Sequence, residues 1–176
     1  MTARPIHAHE LLDLAYELAG SGAGRGKPKT AKLRRSISTS YYALFHELAY
    51  SAARLLCGED AASEAQRNRV VRWISHTDVL VLAQAVRDPK RPIAGVLLQP
   101  APGLLRVAYA FVDLQELRER ADYDYAFDVS RAVAMDSANL AKDAIGRARG
   151  MWNAQNDSYL LFLRLMIGAV KIAKNR

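Results

Sequence analysis

The chain has 176 residues, 51% of them hydrophobic, and a formal net charge of +7. That length and composition suit one domain with a sizeable core and exclude a chain disordered beyond short loops. The single cysteine, Cys57, excludes an intrachain disulfide and fits a reducing, cytoplasmic setting.

The N-terminal stretch MTARPIHAHELLDLA carries Glu10 and Asp13 and has no long apolar core, so no signal peptide is expected. Leu11, Leu12, Ala15, Leu18 and Ala19 stand at helical spacing and predict a short amphipathic helix over Ala8 to Ala19. Residues 20–29, GSGAGRGKPK, end it as a glycine-rich loop. The run resembles a phosphate cradle only loosely, because no strand precedes it and its Gly-Lys is not followed by Ser or Thr. A linker is the better reading.

Leu33 to Leu56 organises the chain. Leu33, Ile37, Tyr41, Leu44, Leu48, Ala52 and Leu55 recur in steps of three and four, with neither Gly nor Pro between them. Tyr42, Phe45, Ala49, Ala53 and Leu56 widen the stripe past half the circumference, so this helix is predicted to sit among neighbours. Its polar residues, among them Arg34, Arg35, Ser38 and His46, become site candidates. Arg34, Arg35 and His46 are assigned to substrate binding, although a hydrogen-bonded core role weighs more for His46.

Asp60 or Ser63 is predicted to cap one helix running to about Val86. Residues 87–103 form a long proline-containing connection in which Ile93 to Leu98 pack as a short strand or turn. Helices follow over Leu104 to Arg120, from Asp128 or Ser130 to about Arg149, and from Asp157 to Lys174, with a turn over Ala121 to Asp124. The longest apolar run, Tyr159 to Ala173, is broken by Arg164 and Lys171 and falls short of a membrane span. The expected fold is all-α: one domain over residues 1–176, an antiparallel bundle of five to six helices. The last helix supplies apolar surface for a homodimer, unless its own chain buries it.

The excess charge is local. Residues 25–92 hold thirteen Lys and Arg against six Asp and Glu, and the remainder holds twelve of each. This points to a phosphate-bearing or otherwise acidic partner, against the plainer reading of a solvated basic surface. On one continuous helix, Arg69, Arg72 and His76 share a face. Two guanidiniums there grip a phosphate, and a histidine moves a proton near neutral pH. The competing reading has Trp73 and Ile74 in the core and the arginines paired with Asp78 or Glu64. His7 and His9 lack a carboxylate or cysteine cluster nearby, so no metal site is expected, and no cofactor motif is present.

LRRSISTSYYALFH resembles the signature helix of HEPN domains, the higher eukaryotes and prokaryotes nucleotide-binding family, whose helices tend to read as a basic residue, a small polar pair and Ala-Tyr-Tyr-Ala-x-Phe. LLRVAYAFVDLQELRERADYD resembles the family's second recurring segment, ending Arg-x-x-Ala-Asp-Tyr, here Arg118, Ala121, Asp122 and Tyr123. The likeness runs from about Leu11 to Trp152. It implies a compact helical bundle, commonly a homodimer, and in many members a metal-independent RNA endonuclease or toxin with a nucleotidyltransferase antitoxin partner. Other members only bind. Active members carry an Arg, four to six residues and a His; Arg69 and His76 fit that spacing, while Arg72 lies closer. In the common active pattern a polar residue follows the arginine, but here Asn68 follows Arg67, too far from His76. Some partners modify a Tyr two residues past the His, a place that Asp78 holds here. Tyr41 and Tyr42 are expected in the core with hydroxyls met by groups such as Asp122, and Arg118, Asp122 and Tyr123 are expected to lock a helix end.

Overall fold

The computed structural model describes residues 7–20, 29–97 and 99–174. The glycine-rich run lies almost entirely outside them. Among the described residues there are seven α-helices and no strand: α1 (Ala8–Ala19), α2 (Thr30–Cys57), α3 (Glu64–Val71), α4 (His76–Arg87), α5 (Pro102–Tyr123), α6 (Arg131–Asn153) and α7 (Asp157–Lys174). No helix there is long and apolar enough to cross a membrane.

The predicted central helix is central. α2 packs on α1, α3, α5, α6 and α7. Ile37, Tyr41, Leu44, Leu48, Ala49, Ala52 and Ala53 are all completely buried. Leu44→Ala is therefore expected to destabilise the chain by about 2–5 kcal/mol, read as a lower denaturation midpoint. An unchanged midpoint would contradict the packing.

The predicted helix to Val86 is two helices, and this correction reshapes the site. After Val71 the chain tightens: Trp73 N–H donates to Val70 O and Ile74 N–H to Val71 O, each three residues back. Ser75 is then extended (φ −90°, ψ 151°) and accepts the Asp78 N–H at 3.1 Å. Its hydroxyl donates to the Asp78 carboxylate at 2.6 Å. Ser75-x-x-Asp78 is thus an N-terminal cap, and it restarts the helix at His76. The helix count rises accordingly above the expected five to six.

Elsewhere the boundaries move by a few residues. α5 runs on to Tyr123, through most of the expected turn. Ile93 belongs to a 3-10 turn, Pro92–Gly95. Ser130 caps α6, accepting the Val133 N–H at 3.2 Å. Asn156, not Asp157, accepts the Tyr159 N–H at the start of α7. Over residues 159–168 of the last helix, Tyr159, Leu160, Phe162, Leu163 and Met166 are buried by their own chain, while Leu161, Leu165 and Ile167 are half-buried.

Candidate functional site

The arrangement starts on α2. Tyr41 and Tyr42, neighbours in sequence, point about 100° apart on a helix, so one is buried while the other reaches the rim. The Tyr41 hydroxyl lies 2.7 Å from His76 Nδ1. Phe45, one turn on, places its ring centroid 3.8 Å from that of His76, and Tyr42 meets the same ring edge-on at 5.6 Å. α5 closes the cluster. The Arg118 guanidinium stands 5.3 Å from the ring centroids of both tyrosines, a cation–π arrangement. Asp122, one turn further, accepts from Arg118 Nε at 3.3 Å and from the Ser38 hydroxyl at 2.5 Å. The two HEPN-like segments thus meet, with His76 between them.

This is not the grouping that spacing alone predicts. Arg69 and Arg72 do not share a helical face with His76, because the helix breaks between them. Both arginines are exposed, and neither pairs with Asp78, Glu64 or any other described residue. Trp73, expected in the core, is 66% exposed, whereas Ile74 is buried. The Tyr41 hydroxyl goes to His76 rather than Asp122. Arg118 and Asp122 do tie α5 to α2, but Tyr123 is 72% exposed and locks nothing.

The substrate-binding trio separates as well. Arg34 donates to the carbonyls of Ala121, Asp124 and Phe127 at 2.8–2.9 Å, which fixes the end of α5. Those bonds occupy both of its terminal nitrogens, so the structure assigns it to packing. Arg35 is exposed and unpaired among the described residues. His46 is half-buried and lines a cavity with Glu47 and Arg149. The Phe45 ring meets His46 edge-on at 5.7 Å and lies 3.8 Å from His76, so both histidines adjoin it. Phe45 and Ser75 carried no functional signal in the sequence, although the Ser-x-x-Asp spacing marks the cap that positions His76.

The electrostatics fix what His76 can do. Burial, then the Arg118 charge, then His46 push its pKa down to about 4, so the ring is neutral at pH 7. Burial also raises Tyr41, which stays protonated. The Tyr41 hydroxyl has no other acceptor among the described residues, so it donates to Nδ1. The ring proton then sits on Nε2, where no described residue accepts it. His76 therefore presents a neutral N–H donor beside a guanidinium. That pair suits holding an oxyanion better than exchanging protons with one.

A stability test follows from the sign of the shift. The folded pKa, about 4, lies below the ordinary 6.5, so the unfolded chain binds more protons between those values and stability falls as pH drops from 6.5 towards 4. The midpoint of thermal unfolding is expected to decline over that window in the parent and to decline less in His76→Gln. Parallel curves would contradict the assignment.

Among the described residues no group of three or more His, Cys, Asp or Glu is placed to hold a metal ion. No family model, no curated protein and no solved structure matches the sequence.

Proposed function

We propose that the chain is a HEPN-like helical module that binds single-stranded RNA without cutting it. The observation that carries this reading is Trp73. A large aromatic ring, 66% exposed, stands in the turn between α3 and α4. Arg69 and Arg72 beside it are exposed and unpaired among the described residues, and His76 follows three residues later. Exposed aromatic rings stack unpaired bases, and arginines beside them hold the backbone phosphates. The Nε2–H of His76 and the charge of Arg118 add to that field. The cationic excess of residues 25–92 includes Arg69 and Arg72 and supplies the long-range attraction.

Cleavage is the second reading, favoured by the meeting of imidazole, phenol and guanidinium at His76, Tyr41 and Arg118. It runs through Arg118 rather than through Arg69 or Arg72. In it, His76 takes the 2′-OH proton as that oxygen attacks its own phosphate, the P–O5′ bond breaks, and the leaving 5′-oxygen takes a proton from water. That step needs a free ring lone pair, which the Tyr41 bond and the neighbouring charge disfavour.

Incubation of labelled single-stranded RNA with the protein in EDTA separates the two. The binding reading expects a retarded complex and intact RNA. Products ending in 2′,3′-cyclic phosphate, lost in His76→Ala, would establish cleavage instead. Absence of both complex and products at low salt would remove both.

A further inference from the structure

A cavity of about 310 Å³ opens between the start of α1, the middle of α2 and the end of α6, and Trp73, His76 and Arg118 take no part in it. Its charges cancel in pairs. Glu47 accepts from Arg149 Nε at 3.1 Å and from Nη2 at 2.8 Å. Arg54 lies 2.6 Å from the Glu59 carboxylate, with its guanidinium 4.6 Å from the centroid of Trp152. The start of α1 is closed by its own capping box, in which Glu10 accepts the His7 N–H at 3.2 Å. An ion entering here would shed its water and meet no unpaired charge.

What the lining leaves unspent is neutral. His46 is half-buried in the wall, and neither of its ring nitrogens has a hydrogen-bond partner among the described residues. Burial holds its pKa below the ordinary histidine value, so at pH 7 the ring is uncharged and offers one N–H donor and one acceptor nitrogen. The side-chain amide of Asn153, at the exposed end of α6, also lines the cavity with no partner among the described residues. It too offers both a donor and an acceptor. An aliphatic ligand would leave these functions unmet, whereas one carrying donors and acceptors along an edge meets them. Tyr50 and Trp152 add aromatic rings to the same wall, which favours a flat body.

We propose that this cavity binds an uncharged nitrogen heterocycle of one or two fused rings. Its ring nitrogens and exocyclic groups pair with His46 and Asn153, and its faces lie against the aromatic wall. The volume stands at the lower end of the small-molecule range, with room for such a ring system and little more. Heterocycles of this kind occur as free metabolites and as the bases of an RNA chain. The site is independent of RNA binding at Trp73.

Adenosine and uridine, both uncharged at neutral pH, are the probes, titrated into the Trp73→Ala protein, where Trp152 is the one remaining indole. At least one of them should move the Trp152 N–H signal in ¹H–¹⁵N spectra, with a dissociation constant below about 10 mM. That affinity should hold within about twofold from roughly 0.05 to 0.5 M sodium chloride, because no ion is taken up. The 5′-monophosphate of the same nucleoside should bind no tighter. His46→Phe and Asn153→Leu keep the bulk and remove the hydrogen bonds, so each should weaken binding about three- to tenfold. Displacement of the nucleoside by single-stranded RNA, read at the same signal, would identify the occupant as a base within a chain. Retention of the nucleoside would identify it as a free heterocycle. No Trp152 movement with either nucleoside up to about 10 mM, a monophosphate that binds tighter and is released by salt, or folded His46→Phe and Asn153→Leu proteins that bind undiminished would overturn the proposal.

Discussion

Arg34→Ala is expected to lower stability by about 3 kcal/mol, while Arg35→Ala should stay within about 0.5 kcal/mol of the parent. The two arginines are adjacent in sequence, yet the helix turns their side chains about 100° apart. Arg34 faces the end of α5, where it serves the carbonyls of Ala121, Asp124 and Phe127. The last carbonyls of a helix have no intrahelical donor, and a charged donor satisfies them better than a neutral one. Removing the guanidinium strands the carbonyls of Ala121 and Phe127, leaves Asp124 O with only the Phe127 N–H at 3.2 Å, and frees the chain that leads to the Ser130 cap of α6. Arg35 faces solvent with no such partner among the described residues. In thermal unfolding the Arg34 variant should melt about 6–12 °C below the parent. Equal midpoints for the two variants would contradict the geometry.

Trp73→Ala is expected to weaken single-stranded RNA binding about 5- to 150-fold, the equivalent of roughly 1–3 kcal/mol for one stacked base. Its unfolding midpoint should barely move, because the ring is largely exposed and leaves no cavity behind. Arg72→Ala should weaken binding to all sequences alike and reduce the salt slope by about one. Both effects are read by anisotropy of a labelled RNA at two salt concentrations. Unchanged affinity in Trp73→Ala would mean that RNA, if bound, lies elsewhere.

The regular parts of the fold were legible. α2 was read to within a few residues because its apolar spacing holds from Leu33 to Leu55, about six turns, and neither Gly nor Pro interrupts it. The break between α3 and α4 was not, for a physical reason. Val70, Ile74 and Val79 keep nearly helical spacing across it, and all three are buried. Periodicity records which residues face the core and is blind to a turn that preserves the facing. Capping chemistry records the break directly: Ser75 and Asp78 stand three apart before an apolar run.

The site was legible in its parts but not in its assembly. Tyr41, Tyr42, Arg118, Asp122 and His76 were all singled out, but as separate features. The bond from Tyr41 to His76 joins residues 35 apart, and the one from Ser38 to Asp122 joins residues 84 apart. Such contacts follow from how helices cross, which local spacing does not encode. The same limit put Trp73 in the core: a large ring between Arg72 and Ile74 reads as apolar filling until the turn is seen to carry it outward.

The most direct test of RNA binding at Trp73 is its own fluorescence. The chain has two tryptophans, and Trp152→Phe leaves Trp73 as the sole emitter. Titration with single-stranded RNA in EDTA should quench that emission to saturation, with the same midpoint as the anisotropy of the labelled RNA and with steep loss of both at higher salt. Anisotropy that rises while Trp73 emission stays constant would contradict the account.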